Sequence, residues 1–559
     1  VWRLCERLRR AGVVIAARAG ERACATRAHS IRRGVTIAAL RQHYAGACDE
    51  GGNSMTKLRV TSMALLLAVH LAPAGAGAQS PAPPPPGPFA IPKLEMEGPY
   101  GSKLRLEVTN RLRGEFVDWF ARPDSAPTRD NDYDFLGNRF QAGLRVTRDP
   151  VELFVQIQNT TVSSLPTHGI GVGSSYYANT AYSTQNGAFV RNAWLEWKRP
   201  FGAEGLSVKG GRQLYSDAMD APAKDPTLLW VQSNRIGQRL LGPFDYTHAG
   251  RSFDGGRIAF DAESWNVTAF GFRPTRGGFE VHANGEMDIA VAGASLNLKD
   301  SPAVATSLGK TIGRLFYLYY GDDRDVLFLD NRPLALRRAD VGRDANLHTV
   351  GGNAAHVEPL GPGSLDAMVY GMAQFGEWQS QDQRSYAWGA ELGYQLPEVW
   401  AKPWLRVGFN AGSGDSDPTD DTHETFFQML PTAWLYAQFP FYNMMNDEDA
   451  FAQLVLRPHP RVSLRWDMLH WLRASSSRDL TYFGGGATSN SFFGYGNTGT
   501  PRDGNNDVAL LTHLMLSVKP IDPLTVNVFY AHAWGQSVIR ANYGGKSANF
   551  GFVEMVLSF

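Results

Sequence analysis

The sequence predicts an all-β protein: a closed antiparallel transmembrane β-barrel of about eighteen strands, within a range of 16–18. Three observations carry the prediction. Apolar and polar side chains alternate with a period of two from Lys103 onward, short and long connections alternate between the segments, and the last segment ends on an aromatic residue, Phe559. Successive strand residues point to opposite faces, so such segments have one oily and one ionic face. A membrane barrel turns the oily face to lipid and the ionic face to its lumen, and an even-stranded barrel keeps its short turns in the periplasm and its long loops outside.

The elements follow in chain order. Residues 1–54 are Arg-rich and hold all three cysteines, Cys5, Cys24 and Cys48; they read as an over-extended reading frame or a disordered presequence. Residues 55–78 read as a secretory signal peptide: basic Lys57 and Arg59, the apolar run Met63–Val69, and a small-residue site ending at Ala78. Cleavage near Ala78 would send the chain to the outer membrane of a Gram-negative bacterium. Residues 79–102, with Pro84, Pro85, Pro86 and Pro88, form an extended linker. The barrel occupies residues 103–559.

Upstream of residue 79 there are 12 Lys+Arg and 4 Asp+Glu, which leaves 42 against 50 in the remainder. A body acidic by eight charges is a poor nucleic-acid binder, and no nucleic-acid partner is expected. With no cysteine after Cys48, thiol catalysis and disulfides are excluded from that body.

The first segment shows the pattern most clearly. Leu104, Leu106, Val108, Leu112 and Phe116 fall on one face, with Arg105, Glu107, Arg111, Arg113 and Glu115 on the other. Eighteen such segments follow one another: 104–118, 138–148, 151–160, 188–198, 205–213, 255–262, 264–273, 287–298, 312–320, 347–357, 365–377, 384–396, 402–412, 449–458, 460–473, 507–519, 523–534 and 548–559. Tight connections such as Asp149-Pro150 follow even-numbered segments, and long ones such as 161–187, 213–254 and 413–448 follow odd-numbered ones.

Gly210-Gly211-Arg212-Gln213, then Arg251-Ser252-Phe253-Asp254-Gly255-Gly256-Arg257, and further on Ser413-Gly414-Asp415-Ser416-Asp417-Pro418 with Thr425-Phe426 and Pro431, resemble elements of the alginate export family of outer-membrane barrels. The stretch Leu214–Met219 and Ala221–Pro226 departs from the usual continuation of the first element. The resemblance spans most of 103–559. It implies an eighteen-stranded barrel that passes a linear polyuronate.

Such a polymer carries one carboxylate per sugar, so its path needs fixed positive charge, and arginine offers a planar fork to carboxylates. The pore-lining candidates are Arg105, Arg111, Arg113, Arg139, Arg145, Arg257, Arg406, Arg461 and Arg465. Arg212 joins them on the resemblance; its phase points to lipid unless a bulge at Gly210-Gly211 turns it inward. Glu107, Glu115, Glu152, Asp261, Glu391 and Asp467 share the lumen face as counter-charges, and Arg–acid ladders that merely brace the wall are the competing reading. The acidic loop with Asp415, Asp417 and Asp421 is a weak cation candidate without EF-hand spacing, and no metal or cofactor is expected. That loop or 213–254 is a candidate to fold into the lumen. No hydrolase or nucleotide motif is present; His248, His282 and His513 are isolated in sequence, and an enzyme is not expected. The expectation is a passive channel for an anionic polysaccharide, the alternative a porin for small anions or sugars. Its partners would be outer-membrane lipid and lipopolysaccharide, the anionic solute, and periplasmic export components.

Overall fold

The computed structural model describes residues 94–121, 130–301, 309–439, 442–484, 486–487, 497–499 and 504–559. The extension, the signal peptide and most of the linker lie outside the described residues.

Eighteen long strands make the wall: β1 Lys103–Asp118, β2 Asp132–Arg148, β3 Val151–Ser163, β4 Gln185–Lys198, β5 Leu206–Gln213, β6 Phe253–Asp261, β7 Trp265–Pro274, β8 Ile289–Leu298, β9 Lys310–Asp322, β10 Ala345–Leu360, β11 Gly363–Trp378, β12 Gln381–Gln395, β13 Trp404–Gly412, β14 Asp447–His459, β15 Val462–Arg473, β16 Asp507–Ile521, β17 Leu524–Gly535 and β18 Ser547–Ser558. Each pairs antiparallel with the next. β18 closes the ring on β1, with Met555 opposite Leu112, and the backbone of Phe559 exchanges hydrogen bonds with Val108. Closure satisfies every strand edge, which is what hydrocarbon demands of a backbone that crosses it. A short strand, Glu95–Glu97, pairs with Lys103–Arg105 at the rim. No described helix is long and apolar enough to cross a membrane.

Every expected segment coincides with one strand. The main differences are at ends: β2 starts at Asp132, and Asp447 and Glu448, expected in the connection 413–448, begin β14. The faces are as the alternation demands. On β12, Tyr386 and Leu392 are 57% and 53% exposed while Ala387 and Glu391 between them are buried. The connection from β11 to β12 is only Gln379-Ser380, an exception among the long outer loops.

The lumen is not simply water. Loop 214–252 and the described residues of loop 413–446 turn inward, and Leu240, Leu241, Phe426, Phe427 and Leu430 pack inside the ring against wall residues such as Phe253, Leu318, Leu347 and Trp378. Loops this rich in large apolar side chains lower their free energy by leaving water, at about 25 cal/mol per Å² buried.

Candidate functional site

The loop between β5 and β6 crosses the lumen. Its first half holds a short helix, Pro226–Val231, started by Asp225, whose carboxylate accepts from the backbone N–H of Thr227 (2.9 Å) and Leu228 (3.2 Å), with Pro226 in the first turn. The following π turn, Gln232–Ile236, ends beside Arg235 and Arg239, one helical turn apart; Arg239 donates to the Arg235 carbonyl. Arg235 Nε lies 3.0 and 2.9 Å from the two oxygens of Glu391 on β12. Arg406 on β13 donates to the same carboxylate (3.0 Å) and to Asp366 on β11. All four groups are buried.

The second half reaches the roughly opposite wall, β1–β4. Arg111 donates to the carbonyls of Asp245 (2.7 Å) and Thr247 (2.5 Å), and Arg113 to that of Tyr246 (2.8 Å). Arg139 and Arg191 converge on one oxygen of the Asp245 carboxylate at 2.9 and 2.6 Å. His248 meets Glu115 at 2.8 Å and sits against Gly137, where an added Cβ would lie 2.1 Å from its ring. Partial loss of solvent opposes ionisation of Asp245, whose side chain is 41% exposed, but Arg191, Arg139 and Arg111 outweigh it and hold the carboxyl below its usual range. Burial, then Arg113, Arg111 and Arg139, push the His248 imidazole well below its ordinary value.

Loop 413–446 locks onto this crossing. Leu430 donates to the Leu240 carbonyl (2.8 Å), Gly242 to Leu430 (2.8 Å) and Thr432 to Gln238 (3.0 Å). Tyr246 and Trp434 stack at 4.2 Å. Arg465 on β15 donates to the carbonyls of Leu435 and Tyr436, both at 3.1 Å.

The ten candidate arginines divide by position. Arg111, Arg113, Arg139, Arg406 and Arg465 hold the inserted loops or the carboxylate that anchors them. Arg105 and Arg145 lie towards the short-turn end with Glu107 and Glu152, and Arg257 faces Glu196 at 3.6 Å. Two are not on the lumen wall. Arg461 sits in the turn between β14 and β15 and pairs with Asp522 of the neighbouring turn (3.3 Å). Arg212 is not rotated inward: the register through Gly210-Gly211 runs unshifted against both neighbours, so Arg212 keeps the phase of Val208 and forks onto cross-strand Asp254 (2.7 and 2.5 Å). Every one of the ten has an acidic partner within 3.6 Å. Among the counter-charges, Asp261 lies near the short-turn rim with Lys299 (3.1 Å). Asp415 and Asp417 accept local backbone N–H groups from Asp417 and Thr419, and Asp421 is exposed.

Sequence reasoning missed Arg191, Arg235, Arg239 and Asp245. Arg191 reaches the lumen through a bulge in β4, where the partners of Gln156 and Ile157 are Asn192 and Val190. The pair Arg235/Arg239 had a signal, a one-turn spacing within Trp230, Val231, Ile236, Leu240 and Leu241, an apolar density unsuited to a solvated loop.

The alginate export family model matches residues 103–552. The chain belongs to the alginate export family. Comparison with curated protein sequences gives no match. Among solved structures, Pseudomonas aeruginosa OccK9 (OpdG) is similar at a TM-score of 0.50 and 10% identity, over 81% of this chain and 98% of that one. Acinetobacter baumannii OccAB2 is similar at 0.51 and 9% identity, over 82% and 98%. At these identities the likeness is one of fold, an outer-membrane porin barrel. Family membership and the closed eighteen-stranded wall make the protein an outer-membrane channel.

Proposed function

We propose that this member of the alginate export family passes an anionic, uronate-bearing polysaccharide across the outer membrane by passive electrostatic guidance along the β1–β4 wall. One observation carries the reading: Arg139 and Arg191 already chelate a carboxylate, that of Asp245, beside Arg111 and Arg113. A uronate presents the same group, and fork geometry favours carboxylates generally. Many such contacts, none deep, let a polymer advance without being trapped.

A second reading, a channel for small anionic solutes, is favoured by the two loops that cross the lumen and pair with each other. The test is conductance of the full chain in planar bilayers. Anion-selective current that polyuronate blocks, and that Arg139→Glu with Arg111→Glu makes cation-selective, supports the polymer reading. Block by monomeric uronate but not by polymer supports the second. Reversal potentials unchanged by the double substitution would refute guidance by these arginines.

A further inference from the structure

The wall carries a second cluster, on β14–β16, whose Asp467 also pairs with the loop-holding Arg465. Asp467 and His470 are three residues apart on β15, so strict alternation would put them on opposite faces. A bulge prevents this: Asp467 pairs with His513 and His470 with Leu511, and on the other side Gln453 and Ala452 pair with Asp467 and Leu469. Both side chains therefore turn to the interior, while Trp466, Leu469 and Trp471 face lipid. Bulges commonly re-aim a side chain at functional sites. His513 of β16 completes the group, and all three residues are buried.

We propose that Asp467 Oδ2, His470 Nε2 and His513 Nε2 bind a divalent transition-metal ion of the zinc class. The three atoms lie within 4.8 Å of one another, the one such cluster among the described residues. His470 Nε2 is 3.1 Å and His513 Nε2 is 2.6 Å from Asp467 Oδ2. Ligands about 2.0–2.1 Å from a tetrahedral ion stand ~3.3 Å apart, so small side-chain shifts complete the geometry. Two imidazoles and one carboxylate suit zinc, cobalt or nickel, not calcium or magnesium, which take oxygen shells.

Two further features point to an ion. His470 Nδ1 contacts both oxygens of Asp449 (3.0 and 2.9 Å), the carboxylate–histidine support that fixes a ligand's tautomer and aims Nε2 at Asp467 Oδ2 (3.1 Å), where an ion would lie between them. His513, though buried, makes no hydrogen bond at either nitrogen; its approach to Asp467 lacks hydrogen-bond geometry. A buried imidazole whose close approach to a carboxylate lacks hydrogen-bond geometry is costly, and a metal bond at Nε2 would offset that cost. Arg465 competes for Asp467 without filling it. Oδ1 accepts from Gln453 (2.7 Å) and Arg465 Nε (2.9 Å), and Oδ2 from Arg465 Nη2 (2.7 Å). Oδ2 also meets His470 Nε2 (3.1 Å), so the four lone-pair directions of the carboxylate are met, and an ion would enter by replacing that His470 contact. Because Arg465 also holds the Leu435 and Tyr436 carbonyls, an ion here fixes the wall beneath loop 413–446.

The ligand atoms are enclosed, so the ion is loaded during folding, and the experiment refolds the full chain into detergent micelles with cobalt(II) as probe. The expected result is one cobalt per chain, four-coordinate by its visible ligand-field absorption, displaced by zinc, with two coordinated imidazoles in the X-ray absorption spectrum. His513→Gln abolishes this signal, and Asp449→Asn weakens affinity by about 10–100-fold. Heat-modifiable gel mobility confirms that each variant barrel is folded. Refolded wild type that takes up no cobalt, or that shows fewer than two imidazoles, overturns the proposal without reference to any variant. Folded His513→Gln that binds as wild type also overturns it.

Discussion

Glu391→Ala tests whether the inserted loop is held by charge. Glu391 is the only carboxylate that Arg235 pairs with among the described residues. After its removal Arg406 still holds Asp366, and Arg239 still donates to the Arg235 carbonyl and lies 4.1 Å over the Tyr370 ring. Arg235 retains the Tyr436 carbonyl and the face of Phe451 at 4.4 Å, so one buried guanidinium is stranded. Removing one partner of a buried pair costs about 3–5 kcal/mol. At about 1.4 kcal/mol per tenfold, the ratio of seated to unseated loop falls by roughly 100-fold or more. The assay is single-channel conductance in planar bilayers, with trypsin added on the loop side to reach Lys224, Arg235 and Arg239. Glu391→Ala should show larger, noisier openings and new cleavage in 214–252. Glu391→Leu combined with Arg235→Met should return to quiet, resistant channels, because apolar replacement of a whole buried pair is neutral or stabilising. Conductance and protease resistance equal to wild type in Glu391→Ala would refute charge anchoring. A double variant as open as the single would show that the lost pair is not what holds the loop.

Three further outcomes follow from the site. Asp245→Asn removes one negative charge between Arg139 and Arg191 without changing shape, and should shift the reversal potential in a salt gradient towards the anion; no shift would place the conduction path elsewhere. Tyr246→Ala and Trp434→Ala together should show a coupling of about 0.5–1.5 kcal/mol in a double-mutant cycle of thermal stability, the worth of a stacked aromatic pair, whereas additivity would deny the loop-to-loop contact. Burial first, then the facing Asp479, pushes the Asp415 carboxyl up to about 7. A carboxyl raised above its unfolded value of about 3.9 contributes stability that is complete below that value and lost as pH rises through the folded one. Amides of 413–426 should therefore exchange more slowly at mildly acidic than at mildly alkaline pH after correction for intrinsic rates. Asp415→Asn should leave only the part due to Asp479, itself pushed up to about 6 by burial.

The wall was legible in the sequence because hydrocarbon imposes one rule on every strand: Tyr386, Trp388 and Leu392 had to alternate with Ser385, Ala387 and Glu391 wherever the loops went. Loop insertion was half legible. The apolar residues of 230–241 argued against solvent, but nothing local says which wall Arg235 meets, since Glu391 lies 156 residues away. The errors came where period-two counting fails. Alternation puts Arg461 on the wall although it belongs to a turn, and the rotation that would bring Arg212 inward is missing from its unshifted register. Conversely, two real bulges, in β4 and β15, bring Arg191 inside and put His470 on the same face as the expected lumen residue Asp467, and no alternation rule anticipates an inserted residue.

The pairing of loop and wall also links pore size to pore charge. Seated, loop 214–252 sets Asp245 against Arg139 and Arg191, and Asp217 against Arg314 (3.6 Å), while its own Arg235 neutralises Glu391. Unseating would therefore do more than widen the lumen. It would uncover a positive wall on β1–β4 and β9 and a negative group on β12, across from each other. A polyanion entering that space would be drawn to one side and repelled by the other, and its carboxylates would replace Asp245 on the arginines it vacates. Salt weakens this more steeply than it weakens the seated state, because uncovered charges are screened over a Debye length of about 10 Å at 0.1 M while buried pairs are not. Polymer block of the wild-type channel should accordingly fade between low and high salt, while the conductance of the loop-seated state, held by buried pairs, scales with bulk conductivity alone.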